Sequence, residues 1–436
     1  MQEDGVYMEY RKRKADKQLL ENLDAFGAVV IEGPKGCGKT TTAEQVAASV
    51  IKLQDPDNFE AYKATAESRP SMLLKGDYPR LIDEWQDFPV VWDAVRNDVD
   101  KSDEVGQFIL TSSKAFDPDK VKHSGSNRIE VMKMFTMSLY ETGESNGKIS
   151  FAELFANPSL NIDGIQSDTT VEGLIYAVCR GGWPATYKCR TDEARLKIAY
   201  NAFNSTCDRD ISQFDGVKRK PEIAKAILRS YARNISSLVK KSTMIEDVKG
   251  MLGSMTEPTF DDYSEVLHKL YVLGDIYGWC PAIRSASGMR SGPKREFVDP
   301  SIAIAALGLS PESFQYDLKT FGFFFENLCV RDLRAYTQGE DASISYYHDR
   351  NGLEADIVLH LKDGRYALIE CKLGSSEIED GAKHLIKLRD LIRENNKEEK
   401  QVPLREPDIL LILTGGNLAY TREDGVKVIP LACLKW

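Results

Sequence analysis

The sequence has no long hydrophobic run. No apolar stretch in its 436 residues approaches the length of about 18 residues at which a segment becomes a candidate membrane-spanning helix. The first residues, MQEDGVYMEYRKRK, are polar and lack the apolar core of a signal peptide. We therefore expect no membrane partner and a cytoplasmic location.

Histidine is scarce, and the cysteines form no metal-binding or disulfide pattern. The eight cysteines are scattered without a C-x-x-C pair, and there are five histidines. This pattern argues against a disulfide framework, a structural zinc site and a histidine-rich metal centre. The formal net charge of −10 argues against diffuse nucleic-acid binding by the whole surface, but it does not exclude a local basic face.

The stretch EGPKGCGKTT, residues 32–41, matches the phosphate-loop pattern G-x-x-x-x-G-K-[ST]. Its glycines let successive backbone N–H groups point at phosphate oxygens, and the following helix directs its positive end at the same anion. Lys39 is expected to reach the β- and γ-phosphates, and the Thr40 hydroxyl is expected to bind Mg²⁺. The residues predicted to contact ATP in this loop are Gly33, Pro34, Lys35, Gly36, Cys37, Gly38, Lys39, Thr40 and Thr41.

The flanks of this loop have the context that a nucleotide site requires. Upstream, GAVVIE (27–32) predicts a short buried strand. Downstream, residues 41–51 carry apolar side chains at helical spacing, which predicts an amphipathic helix. The alternative is a glycine-rich turn without a ligand, and the succession of strand, loop and helix favours the nucleotide site.

A pair of acidic residues follows the next apolar strand. In PRLIDEWQ (79–86), Leu81 and Ile82 predict a buried strand with Asp83 at its end. Asp83 is expected to bind Mg²⁺ directly or through a water molecule. Glu84 is the candidate general base for the attacking water.

Two further positions are candidates for a role in hydrolysis. GQFILTSSK (106–114) predicts a third strand, and Thr111 or Ser112 at its end is expected to orient the water, with ordinary strand-end capping as the alternative. Arg128 is a candidate for stabilising the developing negative charge, with a surface salt bridge as the alternative. The alternation of strands and helices predicts a parallel sheet that binds nucleotide at the carboxyl ends of its strands.

The middle of the chain has a different pattern. Residues 151–215 are predicted to be helical, with a tight bend in CRGGWPATY (179–187). Between residues 219 and 300, three helical segments precede a predicted β-hairpin. That order is typical of a winged helix-turn-helix.

The predicted hairpin is basic. Residues 281–295 contain Arg284, Arg290, Lys294 and Arg295 and no acidic residue. This composition is typical of a wing that contacts nucleic-acid phosphates. The alternatives are a solvated basic loop and an intramolecular contact to the ATPase domain.

The C-terminal segment starts as a helix and continues as β-structure. Residues 320–337 predict a helix with its apolar face buried. Residues 343–361 predict a β-hairpin, and residues 365–374 predict an apolar strand.

Four charged residues in these elements have the layout of a metal-dependent nuclease. Asp356 and Glu370 are expected to lie at the ends of adjacent strands and to converge on Mg²⁺, with Glu326 completing the ligand shell. Lys372 is expected to orient the water or to stabilise the charge on the reacting phosphate. The alternative is a nuclease-like fold that binds a partner without cutting it.

These motifs occur in an order that resembles a known family. GPKGCGKT, LIDEWQ, FILTSSK, CRGGWP, FVDPSIAIAALG, FFFENL and GLEADIVLHLKDGRYALIECKLG run across most of the chain. Together they resemble prokaryotic AAA-type ATPases with a winged-helix region and a C-terminal restriction-endonuclease-like domain of unknown function. The resemblance implies an α/β P-loop fold, ATP and Mg²⁺ as cofactors, and a nuclease of the PD-(D/E)XK type. Thr111-Ser112-Ser113 departs from the expected Thr-Gly-Ser, which leaves the polar sensor residue undecided.

Two functions fit this organisation. The first is a Mg-dependent ATPase whose nucleotide state controls a nucleic-acid-directed module, with DNA as the expected partner. The second is an ATP-dependent switch or binding protein with an inactive nuclease-like domain. Glu84 favours the first, and the oligomeric state stays open. The predicted domains are an ATPase core at 1–145, a helical lid or connector at 146–218, a winged-helix-like domain at 219–310 and a nuclease-like α/β domain at 311–436.

Overall fold

A computed structural model of the chain describes residues 10–115, 121–282, 291–397 and 403–436. In its N-terminal part, five strands form a parallel sheet in the order β2-β3-β4-β1-β5. They are β1 (Ala28–Glu32), β2 (Ser49–Lys52), β3 (Arg80–Asp83), β4 (Phe108–Ser112) and β5 (Ile129–Lys133). The three strands predicted from the sequence, which are β1, β3 and β4, are confirmed.

Helices cover both faces of this sheet. Val30 packs in an apolar cluster that includes residues of α4, whereas Val29 and Ile31 pack with residues of α1 and α2. The helices of this part are α1 (Lys14–Ala25), α2 (Lys39–Glu44), α3 (Phe59–Ser68) and α4 (Val90–Ser102). Because both faces of a parallel sheet are buried, its polar residues gather at the strand ends.

The predicted helix at 41–51 is wrong beyond Glu44, where α2 ends. Val50 and Ile51 belong to β2 and pair with Leu81 and Ile82 of β3. Their apolar spacing fits a helix, but β-branched side chains also favour a strand. Pairing with the neighbouring strand β3 satisfies the backbone of these residues in the extended form.

The middle of the chain is helical, as predicted for residues 151–215. Its helices are α5 (Leu139–Thr142), α6 (Phe151–Ala156), α7 (Val171–Arg180), α8 (Asp192–Ser205), α9 (Ile211–Gln213), α10 (Pro221–Arg233), α11 (Lys241–Leu252) and α12 (Glu257–Lys269). The last three confirm the helices predicted after residue 219. Leu273 then pairs with Phe297, and Ile276 pairs with Lys294, in antiparallel bridges. The winged-helix assignment stays a prediction.

The C-terminal part combines helices with a mixed sheet in the order β11-β12-β10-β9-β8-β7. The helices are α13 (Pro300–Leu307), α14 (Pro311–Phe314), α15 (Leu318–Tyr336) and α16 (Ile378–Lys397). The strands are β7 (Ala342–His348), β8 (Glu354–Leu361), β9 (Tyr366–Lys372), β10 (Ile409–Thr414), β11 (Tyr420–Thr421) and β12 (Lys427–Pro430). The predicted helix, hairpin and strand correspond to α15, β7–β8 and β9 and are confirmed.

One apolar core extends through the middle and C-terminal parts. It contains buried side chains from Leu139 to Leu434. The last strand, β13 (Leu434–Lys435), pairs with β6 (Ile149–Ser150). This core crosses the predicted domain boundaries after residues 145, 218 and 310. The division into four domains stays a prediction. Within the described ranges, no helix is long and apolar enough to cross a membrane.

Candidate nucleotide site and C-terminal acidic cluster

The loop between β1 and α2 has a backbone geometry that glycine permits. Gly36 and Gly38 adopt φ of 82° and 111°, in the left-handed region. A Cβ on Gly33 would lie 2.1 Å from the carbonyl oxygen of Met134. The motif therefore folds as a close backbone turn between a buried strand and a helix, as a phosphate loop requires.

Lys39 bends back over this loop. Its Nζ donates hydrogen bonds to the carbonyl oxygens of Gly33 and Pro34, both at 3.0 Å, and the side chain is buried. A buried ammonium group needs such partners. The contacts hold the charge within the loop, next to any anion that the loop binds.

Three polar side chains meet at the carboxyl ends of β3 and β4. Asp83 Oδ1 accepts hydrogen bonds from Thr40 Oγ1 at 2.7 Å and from Thr111 Oγ1 at 2.6 Å. Ser112 Oγ instead donates to the Lys114 carbonyl, so Thr111 is the hydroxyl that joins the site. Hydroxyl and carboxylate oxygens are ligands that Mg²⁺ prefers, so Thr40 and Asp83 fit this ion.

Glu84 lies beside this group in an uncommon backbone conformation. Its φ of 57° and ψ of 46° are left-handed, which costs a non-glycine residue about 1–3 kcal/mol. Its backbone N–H donates to Thr111 Oγ1 at 3.1 Å. Its carboxylate accepts hydrogen bonds from Ser113 Oγ at 2.7 Å and from the Gln86 amide. Ser113 and Gln86 were not predicted, although both lie in the quoted motifs.

A cavity of about 620 Å³ opens between this sheet edge and the middle of the chain. Gly36 and Glu84 line one side, and Trp183, Asp210 and Tyr271 line the other. The volume is suitable for a small-molecule ligand. The sequence analysis predicted the lining residues of the phosphate loop and of the β3 end. It did not predict that Trp183, Asp210 and Tyr271 of the middle region line the same cavity.

Two contacts tie the loop to the middle region. Lys35 Nζ pairs with Asp210 Oδ1 at 3.0 Å. The Tyr271 hydroxyl donates to Glu32, the last residue of β1. Burial and the Glu32 carboxylate raise the pKa of Tyr271 well above its usual value, so the phenol stays a donor.

Arg13, which precedes α1, supports the loop from the other side. Its Nη1 donates to the Cys37 carbonyl and its Nη2 to the Phe135 carbonyl, both at 2.9 Å. Its Nε lies 3.2 Å from Glu141 Oε1. The RKRK stretch at 11–14 is visible in the sequence, but no local pattern indicates that one of its residues is buried against the loop.

Arg128 does not belong to this chain's own site, contrary to prediction. It precedes β5, and β1 pairs Ala28 with Ile129 and Glu32 with Lys133. Arg128 therefore lies at the amino ends of the strands, on the opposite edge from the phosphate loop. Its exposed side chain pairs with Asp100 at 2.6 Å, which is the surface salt bridge given as the alternative.

The basic stretch predicted to contact phosphates points inward where it is described. Arg284 and Arg290 lie outside the described residues. Lys294 and Arg295 are each only 7% exposed. Arg295 Nη1 donates to Asp275 Oδ2 at 2.8 Å. Buried side chains cannot reach a nucleic-acid backbone, so Lys294 and Arg295 do not form the predicted phosphate contact. Their contacts are intramolecular, but they are made with Asp275, Glu326 and Asp356 and not with the ATPase core that the alternative named.

The predicted C-terminal residues come together across β8 and β9. Lys372 Nζ lies 3.3 Å from Asp356 Oδ2 and 2.6 Å from Glu370 Oε2. The Cys371 N–H donates to Asp356 Oδ2 at 2.8 Å. The antiparallel pairing of the two strands brings positions near the start of one and the end of the other to the same edge. The catalytic roles of these residues stay predictions.

Lysine side chains lie among the carboxylates of this cluster. Lys294 Nζ contacts Glu326 and lies 3.7 Å from Asp356 Oδ1. Across the four described ranges, no group of three His, Cys, Asp or Glu side chains is placed to hold a metal ion. In this arrangement lysine ammonium groups lie between the carboxylates, and the binding of Mg²⁺ by Glu326, Asp356 and Glu370 stays a prediction.

The three carboxyl groups of the cluster differ in the direction of their pKa shifts, because the lysines act most strongly on Asp356. Burial and the Asp356 charge raise the pKa of Glu370 to about 8, and they also raise the pKa of Glu326. Burial opposes ionisation of Asp356 as well, but Lys294 and Lys372 outweigh it and lower its pKa. Asp356 is therefore the carboxylate that the two ammonium groups hold most firmly in its charged form.

Three segments of the chain match known families. Residues 25–143 match the family described as AAA domain. Residues 171–313 match a domain of unknown function (DUF8612), and residues 321–434 match a second one (DUF4143). The N-terminal part, with its parallel sheet and phosphate loop, is ATPase-like and similar to AAA domains.

Two solved structures are similar to the chain at low identity. The Walker-type ATPase PABY2304 of Pyrococcus abyssi is 12% identical over 68% of this chain and 96% of its own, with a TM-score of 0.42. A signal transduction ATPase with a tetratricopeptide repeat sensor, PH0952 from Pyrococcus horikoshii, is 13% identical over 75% of this chain and 48% of its own, with a TM-score of 0.21. Both TM-scores are too low to define a shared overall fold. No curated protein matches the chain.

Proposed function

We propose that the protein binds Mg-ATP in the cavity beside the phosphate loop and hydrolyses it. The observation that carries the proposal is the hydrogen-bonded group of Thr40, Asp83 and Thr111 next to Glu84. This group combines oxygen ligands suited to Mg²⁺ with a carboxylate that can accept a proton from water. A turn without a ligand would not require Thr40 to meet an aspartate 43 residues further along the chain.

Different residues of the site bind the phosphates, bind Mg²⁺ and accept the proton. The loop N–H groups and Lys39 hold the phosphates. Thr40 and Asp83 would hold Mg²⁺, which supplies positive charge to the phosphate oxygens when it is bound. Glu84 accepts the proton of the attacking water, and Ser113 keeps the carboxylate in place through its 2.7 Å hydrogen bond.

In this proposal the nucleotide state also acts on the middle region. Tyr271 lines the cavity and is bonded to Glu32 at the end of β1. The N–H of Ala115, just after β4, donates to the Lys269 carbonyl at the end of α12 at 2.9 Å. A nucleotide that shifts the strand ends would therefore displace the segment that follows α12.

Replacing Tyr271 with phenylalanine tests this connection. In the parent protein, ATP is expected to change amide hydrogen exchange at Lys294 and Val298, whose N–H groups bond to the carbonyls of Ile276 and Val272. A hydrogen bond to a carboxylate contributes about 1.5–3 kcal/mol, so Tyr271→Phe is expected to reduce the exchange response by roughly tenfold. ATP should still bind, because the phenol is not a phosphate contact.

Tyr277 provides the matched control for this measurement. It lies on the same segment and is 62% exposed. Tyr277→Phe is expected to leave the exchange response unchanged. Equal responses in the two variants would show that the Tyr271 hydroxyl does not connect the cavity to this segment.

For the C-terminal domain, we propose the binding or switch function rather than a metal-dependent nuclease. The contacts of Lys294 and Lys372 with Asp356 favour this choice, since a divalent ion would have to displace a buried ammonium group. The nuclease function stays a prediction. It can be tested by incubating the protein with DNA and RNA, ATP, and Mg²⁺ or Mn²⁺ while following phosphate release and strand scission.

Three outcomes of this assay are informative. Phosphate release without scission supports the ATP-dependent switch. Scission that is lost in Lys372→Ala would establish the nuclease. The absence of phosphate release under every condition would contradict the proposed hydrolysis itself.

A further inference from the structure

The ammonium group of Lys294 has the surroundings of a bound cation. Its Nζ contacts the Glu326 carboxylate from α15, lies 3.7 Å from Asp356 Oδ1 and donates to the Asp356 backbone carbonyl at 3.2 Å. The residue is 7% exposed. Two carboxylates and a carbonyl oxygen form a hard oxygen set of the kind that divalent cations use in proteins.

A second ammonium group, that of Lys372, lies on the other side of Asp356. Lys372 Nζ lies between Asp356 Oδ2 and Glu370 Oε2, at 3.3 Å and 2.6 Å. His384 Nδ1 is 4.0 Å from Glu370 Oε1. Three carboxyl groups with such low exposure repel one another unless a cation or protons intervene, and here lysine side chains are the cations.

The backbone holds Lys294 in this position. Its N–H donates to the Ile276 carbonyl at 2.9 Å, and its carbonyl accepts from the Ile276 N–H at 3.1 Å. Glu296, two residues further on, is fully buried and accepts hydrogen bonds from Ser236 and Asn327. The side chain therefore reaches the cluster from an anchored segment rather than from a free loop.

We propose that Lys294 is the resident cation of the acidic cluster formed by Glu326, Asp356 and Glu370. Its ammonium group takes the place that a divalent ion would need, and the segment that carries it docks against α15 and β8 through this contact. The cluster binds a divalent ion only when Lys294 is absent or withdrawn. This inference does not depend on ATP hydrolysis in the N-terminal cavity.

Mn²⁺ binding to the full chain without nucleotide tests the proposal, by electron paramagnetic resonance or calorimetry. The parent protein is expected to have no Mn²⁺ site that depends on Asp356. Lys294→Met keeps the aliphatic stem and removes the charge, so it is expected to gain one Mn²⁺ site that the parent lacks, bound at least about tenfold more tightly than any residual Mn²⁺ on the parent. The double variant Lys294→Met, Asp356→Asn is expected to lose that site again.

Lys362 supplies the matched control, because its side chain is 78% exposed and pairs with Asp341 at the surface. Lys362→Met should leave Mn²⁺ binding unchanged. A Mn²⁺ site in the parent protein that Asp356→Asn removes would overturn the proposal without any change at Lys294. A folded Lys294→Met protein that binds no Mn²⁺ would overturn it as well.

Removing a buried cation can also prevent folding, and that outcome is informative too. If Lys294→Met fails to fold in chelator but folds when Mn²⁺ is added, the metal has replaced the ammonium group, as proposed. If it fails to fold in both conditions, the cluster cannot exchange its lysine for a metal and the proposal is wrong.

Discussion

Lys39→Ala is expected to weaken ATP binding by roughly 10- to 150-fold while the fold is retained. In the protein, the Lys39 ammonium group is held by the Gly33 and Pro34 carbonyls inside the phosphate loop. With ATP bound it would contact phosphate oxygens, and a charge-assisted contact of this kind contributes about 1.5–3 kcal/mol. A titration with ATP measures the loss, and a thermal melt verifies the fold.

Lys17→Ala is the control for this substitution. Lys17 lies on α1, exposes 65% of its side chain and pairs with Glu21 at the surface. Its removal deletes the same charge far from any phosphate contact and should not change ATP affinity. A folded Lys39→Ala protein with the affinity of the parent would rule out the phosphate-loop assignment.

Glu84→Gln is expected to lower ATP turnover by about 10²-fold or more and to leave ATP binding intact. Glutamine has the size of glutamate and can still accept a hydrogen bond from Ser113, but it cannot take a proton from water. The left-handed backbone of Glu84 is retained, because the Thr111 hydroxyl still accepts from its N–H. Phosphate release at saturating ATP measures the effect.

Asp87 provides the comparison, because it is another carboxylate that lines the cavity. It accepts a hydrogen bond from Gln54 Nε2 at 2.8 Å, whereas the Thr40 and Thr111 hydroxyls donate to Asp83. Asp87→Asn is therefore expected to retain most of the turnover. If turnover survives in Glu84→Gln and falls in Asp87→Asn, the general base is Asp87.

The parallel sheet and the phosphate loop could be predicted from the sequence because their signals are local. Asp83 ends a short run of buried residues, and the phosphate loop directly follows β1. In a parallel sheet the carboxyl ends of neighbouring strands share one edge, so sequence order alone predicts that Thr40, Asp83 and Thr111 come close. The hydrogen bonds at 2.7 Å and 2.6 Å agree with that expectation.

The errors arise where two local patterns are equally compatible with the residues. Val50 and Ile51 fit a helix by spacing and a strand by shape, and the free edge of β3 decides for the strand. Arg128 follows β4 along the chain, but it precedes β5 and therefore lies at the opposite edge of the sheet from the phosphate loop. Spacing along the chain does not indicate which edge a residue occupies.

The sequence by itself determined the parts that depend on short-range order: the phosphate loop, the acidic strand end, the helices after residue 219 and the acidic residues of the C-terminal sheet. Only the tertiary structure decided which distant residues contact one another. It brings Tyr271 to Glu32 and Lys294 to Asp356, which are distant in sequence. A basic residue in a loop has the same sequence pattern whether it faces solvent or a buried carboxylate. The choice depends on which carboxylates the packing of α15, β8 and β9 leaves without a cation.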